Sequence, residues 1–251
     1  MLETRGLSVR FGGHVAVDAV NCTFAPGSLT AIVGPNGAGK TTYFNLISGQ
    51  LKATSGEVLL NGRSLAGLSP SARTRAGLGR AFQLTNLFPN LSVLENVRLA
   101  VQATQAGPHR RGLNLWSIWR DHTALTERAE TILQEVAMAD QADQPVSSLP
   151  HGDQRKLEVA LLMALEPQVY MFDEPTAGMS ADEVPVILNL IRRLKATGRY
   201  TILLVEHKMD VVRELADRIV VLHNGQCVAD GLPQDVMASA IVQQAYLGKR
   251  A

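Results

Sequence analysis

The sequence is poor in cysteine and carries no excess of charge of either sign. Cys22 and Cys227 are the two cysteines, far apart in the chain, and no histidine or cysteine cluster has zinc-site spacing. Two buried, reduced thiols are therefore expected, as in a cytosolic protein. Lys and Arg number 24 against 23 Asp and Glu, a net charge of +1. This balance gives no reason to expect nucleic acid or an acidic membrane as the main partner.

Long apolar runs are missing as well. No stretch approaches the roughly 18 uninterrupted apolar residues that a membrane span needs. No apolar run follows the charged residues in Met1 to Arg5, so a signal peptide is not expected. If the protein works at a membrane, another subunit must hold it there. The 251 residues suffice for one large domain or a core with a subdomain.

The most informative segment is glycine-rich. Residues 34–41 fit the phosphate-loop pattern G-x-x-x-x-G-K-[ST] at every fixed position, between a predicted strand at Leu29 to Val33 and a predicted helix from Thr42 to Ser48. Such a loop turns its N–H groups toward an anion, Lys40 can reach the β- and γ-phosphates, and the Thr41 hydroxyl can bind Mg²⁺. The predicted nucleotide-binding residues here are Gly34, Pro35, Asn36, Gly37, Ala38, Gly39, Lys40, Thr41 and Thr42.

Two acidic residues end a second apolar strand. Asp173 and Glu174 directly follow Val169 to Phe172. Adjacent residues at the end of a strand point in different directions, so the two carboxylates can have different roles. We expect Asp173 to hold Mg²⁺ and Glu174 to orient and polarise the water that attacks the γ-phosphate.

A third apolar strand, Thr201 to Val205, ends at Glu206 and His207. The His207 ring could donate a hydrogen bond to the γ-phosphate, although a lone histidine after a strand is most often structural. Residues 207–210 (His-Lys-Met-Asp) differ by one residue from the Asn-Lys-x-Asp pattern of guanine-specific GTPases. The histidine lacks the amide that this pattern uses, so we expect ATP rather than GTP.

The order of the predicted elements favours an α/β fold with an inserted helical region. Helical spacing dominates from about Asn90 to Leu165, as in Val93 to Ala103 and Leu125 to Ala137. Strands and helices alternate before and after this region. Such alternation is typical of a mostly parallel sheet flanked by helices.

Further motifs follow the same order as in a known family. They are Phe11 in Arg10-Phe11-Gly12-Gly13, Gln83 in Arg80-Ala81-Phe82-Gln83, Leu149-Pro150-His151-Gly152-Asp153-Gln154-Arg155, Asp173-Glu174 with Ala177-Gly178-Met179-Ser180, and His207. With these motifs the chain resembles the nucleotide-binding subunit of ABC transporters over its whole length. The resemblance implies a P-loop NTPase (RecA-like) core with an N-terminal antiparallel β subdomain and an inserted α-helical subdomain. A single domain would fill 1–251, with 1–84 and 166–251 in the core and 85–165 in the helical subdomain.

The resemblance also implies roles for individual residues. Phe11 would stack on adenine, and Gln83 would join the core to the helical subdomain. The catalytic set would be Glu174, His207, Lys40 and Gln83, with Thr41, Gln83 and Asp173 holding Mg²⁺. Two subunits would sandwich two ATP molecules. Each site would combine the phosphate loop of one chain with Gly152 and Asp153 of the other.

The signature segment departs from the family's common Leu-Ser-Gly-Gly-Gln form. Pro150 stands where a serine would hydrogen-bond the γ-phosphate of the facing subunit, and proline has neither a hydroxyl nor an N–H. His151 replaces a glycine, and Asp153 replaces the glutamine. Asp153 would repel a phosphate unless it points away. We therefore expect a lower affinity for nucleotide across the dimer interface and a slower basal rate of ATP hydrolysis.

The resemblance narrows toward importers of branched-chain amino acids, and there toward the larger of two ATPase subunits. The segments that carry it are 10–13, 79–84 with Leu87 and Phe88, 173–179, and the ending Ala245-Tyr246-Leu247-Gly248. Urea or amide importers, a lipopolysaccharide-export ATPase and a weakly hydrolysing regulatory module remain alternatives.

The implied partners are a second ATPase subunit, identical or paralogous, and integral membrane permease subunits. Contact with the permease is expected near Gln83 to Asn90, where Leu84, Leu87, Phe88 and Leu91 form an apolar group. A periplasmic binding protein would take part indirectly, and no nucleic acid is implied. The expected location is peripheral, on the cytoplasmic face of the inner membrane.

Overall fold

The computed structural model describes residues 1–81, 87–105, 123–239 and 242. The chain divides into two compact units, one formed by Met1–Arg80, Gln168–Pro175 and Arg192–Ala251, the other by Ala81–Pro167 and Thr176–Ile191. Within the described ranges, every helix is too short or too polar to cross a membrane.

Strands and helices follow one another along the described chain in this order. They are β1 (Leu2–Phe11), β2 (His14–Phe24), β3 (Leu29–Val33), α1 (Lys40–Ser48), β4 (Ser55–Leu60), β5 (Arg63–Ser64), α2 (Pro70–Arg75), β6 (Leu78–Ala81), α3 (Val93–Gln105), α4 (Thr123–Glu135), α5 (His151–Ala164), β7 (Val169–Asp173), α6 (Val184–Ala196), β8 (Thr201–Val205), α7 (Met209–Leu215), β9 (Arg218–His223), β10 (Gln226–Gly231) and α8 (Pro233–Ala238).

The first unit contains an antiparallel sheet with the strand order β2-β1-β4-β5. Strands β4 and β5 pair across a turn at Asn61 and Gly62, which both have positive φ, as Asn-Gly hairpins require. Residues 14–24 form one strand, β2, in which Ala19 has positive φ and the pairing with β1 is irregular.

The second sheet of this unit has the order β10-β9-β3-β8-β7-β6. Strand β3 runs parallel to β8 and β9, and β7 runs parallel to β8, while β10 is antiparallel to β9. The predicted mostly parallel sheet is therefore confirmed. Every residue of β3, β7 and β8 is buried, which is why these strands are almost uninterrupted apolar runs.

The carboxyl ends of β3, β7 and β8 meet at one edge of this sheet. Val205 at the end of β8 pairs with Asp173 on one side and with Ile32 on the other. The phosphate loop after β3, Glu174 after β7 and His207 after β8 therefore leave the same edge, where ligands of such sheets bind.

Helices α3, α4 and α5 pack together in the second unit. Their contact faces are apolar and buried, with Val97, Val101, Ala129, Ile132, Leu133 and Leu157 among the core residues. Helix α3 starts with a capping box, in which Glu95 N donates to Ser92 Oγ (3.1 Å) and Ser92 N donates to Glu95 Oε2 (3.3 Å).

The boundary between the units differs from the predicted subdomain boundary in one segment. Residues 176–191 group with the helical unit, whereas the sequence analysis assigned them to the core. Glu183 explains part of this grouping, because its carboxylate lies 3.5 Å from Lys156 Nζ on α5. The same carboxylate accepts from Ser180 N and Oγ, and α6 begins after this turn, at Val184.

Both cysteines are free thiols in the first unit. Cys22 on β2 is buried, but Cys227 on β10 is only half-buried. The prediction of two buried thiols is therefore wrong for Cys227, because β10 lies at the edge of its sheet.

Candidate functional site

The phosphate loop takes a conformation that its glycines make possible. A Cβ on Gly34 would lie 2.1 Å from the Leu222 carbonyl oxygen, and one on Gly39 would lie 2.5 Å from that of Ala16. Gly39 also has φ of 96° and caps the start of α1. Larger residues at these two positions would push the loop away from its neighbouring strands. The loop therefore leads directly into the helix N-terminus that a phosphate would face.

Lys40 is folded into the loop. Its Nζ donates to the carbonyl oxygens of Gly34 (2.7 Å) and Pro35 (2.9 Å). Burial lowers the pKa of Lys40, while the nearby carboxylates of Glu174 and Asp173 act in the opposite direction. A γ-phosphate would compete with these two carbonyl groups for the ammonium group, and its negative charge would favour the exchange.

An open cleft of about 410 Å³ lies over the loop. It is lined by Asn36, Gly37, Ala38, Gly39, Lys40, Thr41, Thr42, His14, Ala16, Glu174 and His207. Most of the predicted phosphate-loop residues thus share one cavity with the two residues predicted to act at the γ-phosphate. Thr41, the predicted metal ligand on α1, is exposed there.

Glu174 and His207 contact each other at this cleft. Glu174 Oε1 lies 2.7 Å from His207 Nε2, and both side chains are about 40% exposed (40% and 41%). Glu174 has φ of 51°, a left-handed conformation that costs about 1–2 kcal/mol for a residue other than glycine. Its N–H donates to the Val205 carbonyl oxygen (2.9 Å), which holds the end of β7 against β8. Strained backbone of this kind is enriched at functional sites.

The turn that carries His207 is fixed by Glu206. This carboxylate is 3% exposed, and its Oε2 accepts from His207 N (2.9 Å) and Lys208 N (3.3 Å). The backbone of His207 is thus held while its ring faces the cleft.

Asp173 is held by an arginine that the sequence analysis did not single out. Arg80 Nη2 donates to Asp173 Oδ2 at 2.7 Å, and the two side chains are only 5% and 7% exposed. Arg80 Nη1 also donates to Asn45 (2.6 Å) and Ser48 (3.0 Å) on α1. Burial lowers the pKa of Arg80, and the hydrogen bond and charge of Asp173 oppose that shift. The guanidinium therefore joins the helix after the phosphate loop to the acidic end of β7.

Phe11 and Gln83 are two further predicted residues of the nucleotide site. Phe11 ends β1 and is 51% exposed, as a residue that stacks on a flat ring must be. Gln83 lies outside the described residues. Its predicted roles in catalysis and metal binding stay predictions.

The signature segment forms the start of α5 in the second unit. Pro150 is the N-cap, and in this described turn its side chain offers no capping hydrogen bond. A Cβ on Gly152 would lie 2.3 Å from Glu183 Oε1, so a larger residue at this position would have to displace that carboxylate. Gln154 Nε2 donates to the Leu149 carbonyl oxygen (3.0 Å).

Asp153 is turned away from solvent, at 8% exposure. Its carboxylate accepts from Lys156 Nζ (2.8 Å) and from Gln141 Nε2 (3.0 Å). The sequence predicts that Asp153 repels a phosphate. The positive charge of Lys156 weakens this repulsion, because it lies beside the Asp153 carboxylate. Both bonds point the Asp153 carboxylate into its own unit rather than toward solvent, where a nucleotide would bind. Its predicted contact with ATP stays a prediction.

The apolar loop expected to meet a permease is partly described. Phe88 is 53% exposed, and Asn96 holds its backbone on both sides, accepting from Phe88 N (2.9 Å) and donating to Phe88 O (3.1 Å). Leu87 and Leu91 are half-buried, whereas Leu84 lies outside the described residues. The loop thus presents one aromatic ring to solvent on a fixed backbone.

Sequence reasoning missed Arg80, Lys156 and Glu183. The spacing of Asp153 and Lys156, three residues apart in a predicted helix, could have indicated their ion pair. Ser180 and Glu183 have the spacing of a capping box. No local pattern connects Arg80 to Asp173, which lie in distant parts of the chain.

Known proteins similar to this chain are described as ATP-binding proteins of transporters. A family model described as ABC transporter matches residues 17–177. The high-affinity branched-chain amino acid transport ATP-binding protein LivG of Escherichia coli (strain K12) is 38% identical over 250 residues, covering 99% of this chain and 98% of the relative. BraF of Pseudomonas aeruginosa, with the same description, is 36% identical with the same coverage.

Solved structures are similar over nearly the whole chain. The ADP conformation of MJ1267, an ATP-binding cassette of an ABC transporter, has a TM-score of 0.81 and 28% identity, with 99% of both chains covered. The dimeric post-hydrolysis state of the cassette MJ0796, bound to ADP and Pi, has a TM-score of 0.78 and 25% identity, with 93% of this chain and 99% of that chain covered.

Proposed function

The chain belongs to the ABC transporter family as an ATP-binding and ATP-hydrolysing subunit, and from this membership we propose that its transporter imports branched-chain amino acids. Two relatives named for that transport match the chain from end to end. The observation that carries the hydrolytic part is the contact between Glu174 and His207 in the cleft of the phosphate loop.

The proposed chemistry is in-line attack of water on the γ-phosphorus of ATP. Glu174 orients and polarises the water, and His207 hydrogen-bonds both Glu174 and the γ-phosphate. Lys40 exchanges the carbonyl groups of Gly34 and Pro35 for the β- and γ-phosphates. Backbone N–H groups of the loop hold the phosphates from below, and Phe11 stacks on the adenine.

The donor set also fits Mg²⁺, which prefers oxygen ligands. The exposed Thr41 hydroxyl and the Asp173 carboxylate would hold the ion, with Gln83 as a further ligand. When bound, Mg²⁺ neutralises negative charge on the phosphates. Arg80 keeps the Asp173 carboxylate in a fixed position and neutralises it inside the unit.

We further propose that a second cassette completes the site, either another copy of this chain or a paralogue. The dimeric state of the similar MJ0796 cassette supports this proposal. Gly152, at the N-terminus of α5, would face the γ-phosphate held by the partner, where the helix dipole favours an anion.

Membrane permease subunits are the proposed partners at Gln83 to Asn90, with Phe88 as the exposed contact. The cassette would then lie on the cytoplasmic face of the inner membrane. A periplasmic binding protein would deliver the amino acid to the permease.

The proposed substrate class can be tested by measuring amino acid uptake in a strain that lacks the gene for this chain. Import of radiolabelled leucine should fall in that strain and return with the wild-type gene. Glu174→Gln should not restore import, whereas Glu166→Gln, a change at an exposed glutamate of the second unit, should. Loss of urea or short-amide uptake with unchanged leucine uptake would contradict the assignment.

A further inference from the structure

The first unit contains a compact group of two thiols and a carboxylate outside the nucleotide cleft. Cys22 lies on β2 and Cys227 on β10, strands of different sheets. The two sulfur atoms and a carboxylate oxygen of Asp230 all lie within 4.8 Å of one another. The fold therefore brings together the two cysteines that the sequence places far apart.

Hydrogen bonds hold these strands together on both sides of the sulfur atoms. On one side Asp18 N donates to the Gly225 carbonyl oxygen (2.9 Å), and Gln226 Nε2 donates to Asp18 Oδ2 (2.8 Å). On the other side Arg218 pairs with Asp230 (2.5 Å) and also donates to the Thr23 carbonyl oxygen. The sulfur atoms are thus kept within 4.8 Å of each other by their surroundings.

A metal ion is a poorer fit for this group than a bond between the sulfur atoms. Arg218 donates to both oxygens of Asp230, from Nε to Oδ1 and from Nη2 to Oδ2, each at 2.5 Å. The carboxylate is therefore already neutralised, and the guanidinium places positive charge beside the sulfur atoms. A structural zinc site needs four ligands, and this group offers two sulfur atoms and an engaged carboxylate.

The two thiols differ in ways that suit successive steps of an oxidation. Cys22 is 5% exposed, and its hydrogen bond with Cys227, followed by burial, raises its pKa. Cys227 is half-buried, and the hydrogen bond from Cys22 lowers its pKa. Burial and the charge of Asp230 oppose this shift, and the charge of Arg218 supports it. Thiolate character and access to solvent are the two properties that favour oxidation of a thiol.

We propose that Cys227 and Cys22 form an oxidisable dithiol site, in which a hydroperoxide attacks Cys227 first and Cys22 then closes a disulfide between β2 and β10. The Cys227 thiolate attacks a peroxide oxygen, becomes a sulfenic acid and releases hydroxide. Cys22 attacks that sulfur as its thiol proton is lost, the S–S bond forms, and the sulfenic hydroxyl leaves as water. Two thiols and one hydrogen peroxide become one disulfide and two water molecules.

The disulfide would fasten the strand that reaches the nucleotide cleft. Strand β2 also carries His14 and Ala16, which line that cleft. The Ala16 carbonyl oxygen lies close enough to block side chains at both Gly39 and Gly225. Oxidation would thus tie β2 covalently to the hairpin of β9 and β10, which already contacts it at Gly225.

Oxidation of the purified, reduced full-length chain with hydrogen peroxide tests the site. Mass spectrometry without reductant should show one Cys22–Cys227 cross-linked peptide in a monomer, and dithiothreitol should restore both thiols. Because these are the only cysteines in the sequence, loss of both thiols without covalent dimers identifies the bond. The melting temperature of the oxidised chain should also exceed that of the reduced chain by about 4 °C or more, because the disulfide closes a long loop.

Single substitutions separate the two roles. In Cys22→Ala, peroxide should leave a sulfenic acid on Cys227 that dimedone traps. In Cys227→Ala, Cys22 should stay unlabelled at the same dose while the protein is folded. Thermal melting of each reduced variant checks its fold, and reduced variants should hydrolyse ATP like wild type. The outcome therefore does not depend on the transport function.

Three results would overturn the proposal. One is that wild type keeps both thiols at peroxide doses that oxidise Cys227 in Cys22→Ala. Another is that dimedone labels Cys22 in Cys227→Ala as readily as Cys227 in Cys22→Ala. The third is that the reduced chain binds one Zn²⁺ that protects both thiols and is lost in each single variant, which would make the group a metal site.

Discussion

The phosphate-loop cleft of one chain and the signature segment of its partner are the two halves of the proposed site, and their charged residues differ in exposure and in pairing. In the cleft, Glu174 and His207 contact each other and stay about 40% exposed, on a strained backbone. At the start of α5, Asp153 is buried and paired with Lys156, which also lies near Glu183. The cleft therefore presents reactive side chains, whereas the signature presents a helix N-terminus with its acidic residues neutralised.

On this basis we propose that the chemistry lies in the first unit and the recognition of bound nucleotide in the second. Among the described residues, the side chains proposed to move charge or protons at a γ-phosphate are Lys40, Glu174 and His207, which lie in the first unit. The second unit would contribute backbone N–H groups and a dipole, for which Gly152 suffices. Substitutions in the cleft should therefore act on turnover, and substitutions in the signature should act on stability or on the grip on nucleotide.

The largest effect is expected for Glu174→Gln. Loss of the carboxylate should lower ATP turnover by about 10²–10⁴-fold, the usual contribution of a positioned general base. ATP affinity should stay close to that of wild type. Glu166→Gln is a matched control, because Glu166 is also a glutamate with positive φ (44°) but belongs to the second unit. Turnover and equilibrium binding should be measured side by side. Equal turnover of both variants would break the assignment of chemistry to the first unit.

Arg80→Met should have the next largest effect. It leaves Asp173 buried without its cation, which costs about 3 kcal/mol in the free energy of unfolding. Urea unfolding of wild type, Arg80→Met and Arg80→Lys measures this loss, and lysine should recover part of it. Mg²⁺ should stabilise Arg80→Met more than wild type, because the ion can neutralise Asp173. If Arg80→Met is as stable as wild type, the ion pair does not hold Asp173 in place.

Lys156→Met tests the neutralised charges of the signature segment. Removing the ammonium group leaves Asp153 and Glu183 without their cation, and a loss of roughly 1–2 kcal/mol in unfolding free energy is expected. Burial lowers the pKa of Lys156, but the hydrogen bond and charge of Asp153 outweigh it and raise the pKa overall. The contribution of the pair is therefore complete at neutral pH and is lost as the pH rises through the raised pKa. Denaturation between pH 7 and alkaline pH should show that the difference between wild type and Lys156→Met shrinks. A difference that is constant with pH would point to lost packing instead.

Pro150→Ser should have the smallest effect. A serine hydroxyl at this N-cap could donate to the γ-phosphate held by the partner, and turnover should rise about three- to tenfold, which corresponds to the net contribution of about 1 kcal/mol from one hydrogen bond. Pro150→Ala restores the backbone N–H without the hydroxyl and is the control. Steady-state ATPase rates and ATP affinities should be measured for wild type, Pro150→Ser and Pro150→Ala. If Pro150→Ser changes neither, the signature does not limit the wild-type chain.

The two regions also differ in how well the sequence predicts them. The phosphate loop, Asp173, Glu174 and His207 follow buried parallel strands, and a parallel sheet forces such strand ends to one edge. Their meeting in one place could therefore be predicted from periodicity and motifs. The contacts of Arg80 with Asp173 and of Cys22 with Cys227 could not, because each joins distant segments by side-chain packing that leaves no local pattern.

Helix ends were predictable where a side chain caps them. Ser69 caps α2, with Ala72 N donating to its hydroxyl (3.3 Å), and a serine directly before Pro70 is typical of a helix start. The start of α6 and the grouping of 176–191 with the helices were not predicted. Both involve Glu183, which contacts Lys156 on α5 and Ser180 in the preceding turn. The contact with α5 depends on the tertiary fold and leaves no pattern in the local sequence.

A crystal structure of the chain, with its partner cassette, Mg²⁺ and a non-hydrolysable ATP analogue, tests the central claim most directly. The account predicts a γ-phosphate between Lys40, Glu174 and His207 of one chain and the N-terminus of α5 of the other. Lys40 should have left the carbonyl groups of Gly34 and Pro35. An analogue bound away from residues 34–42, or a γ-phosphate held with Lys40 still bonded to those two carbonyl groups, would contradict it.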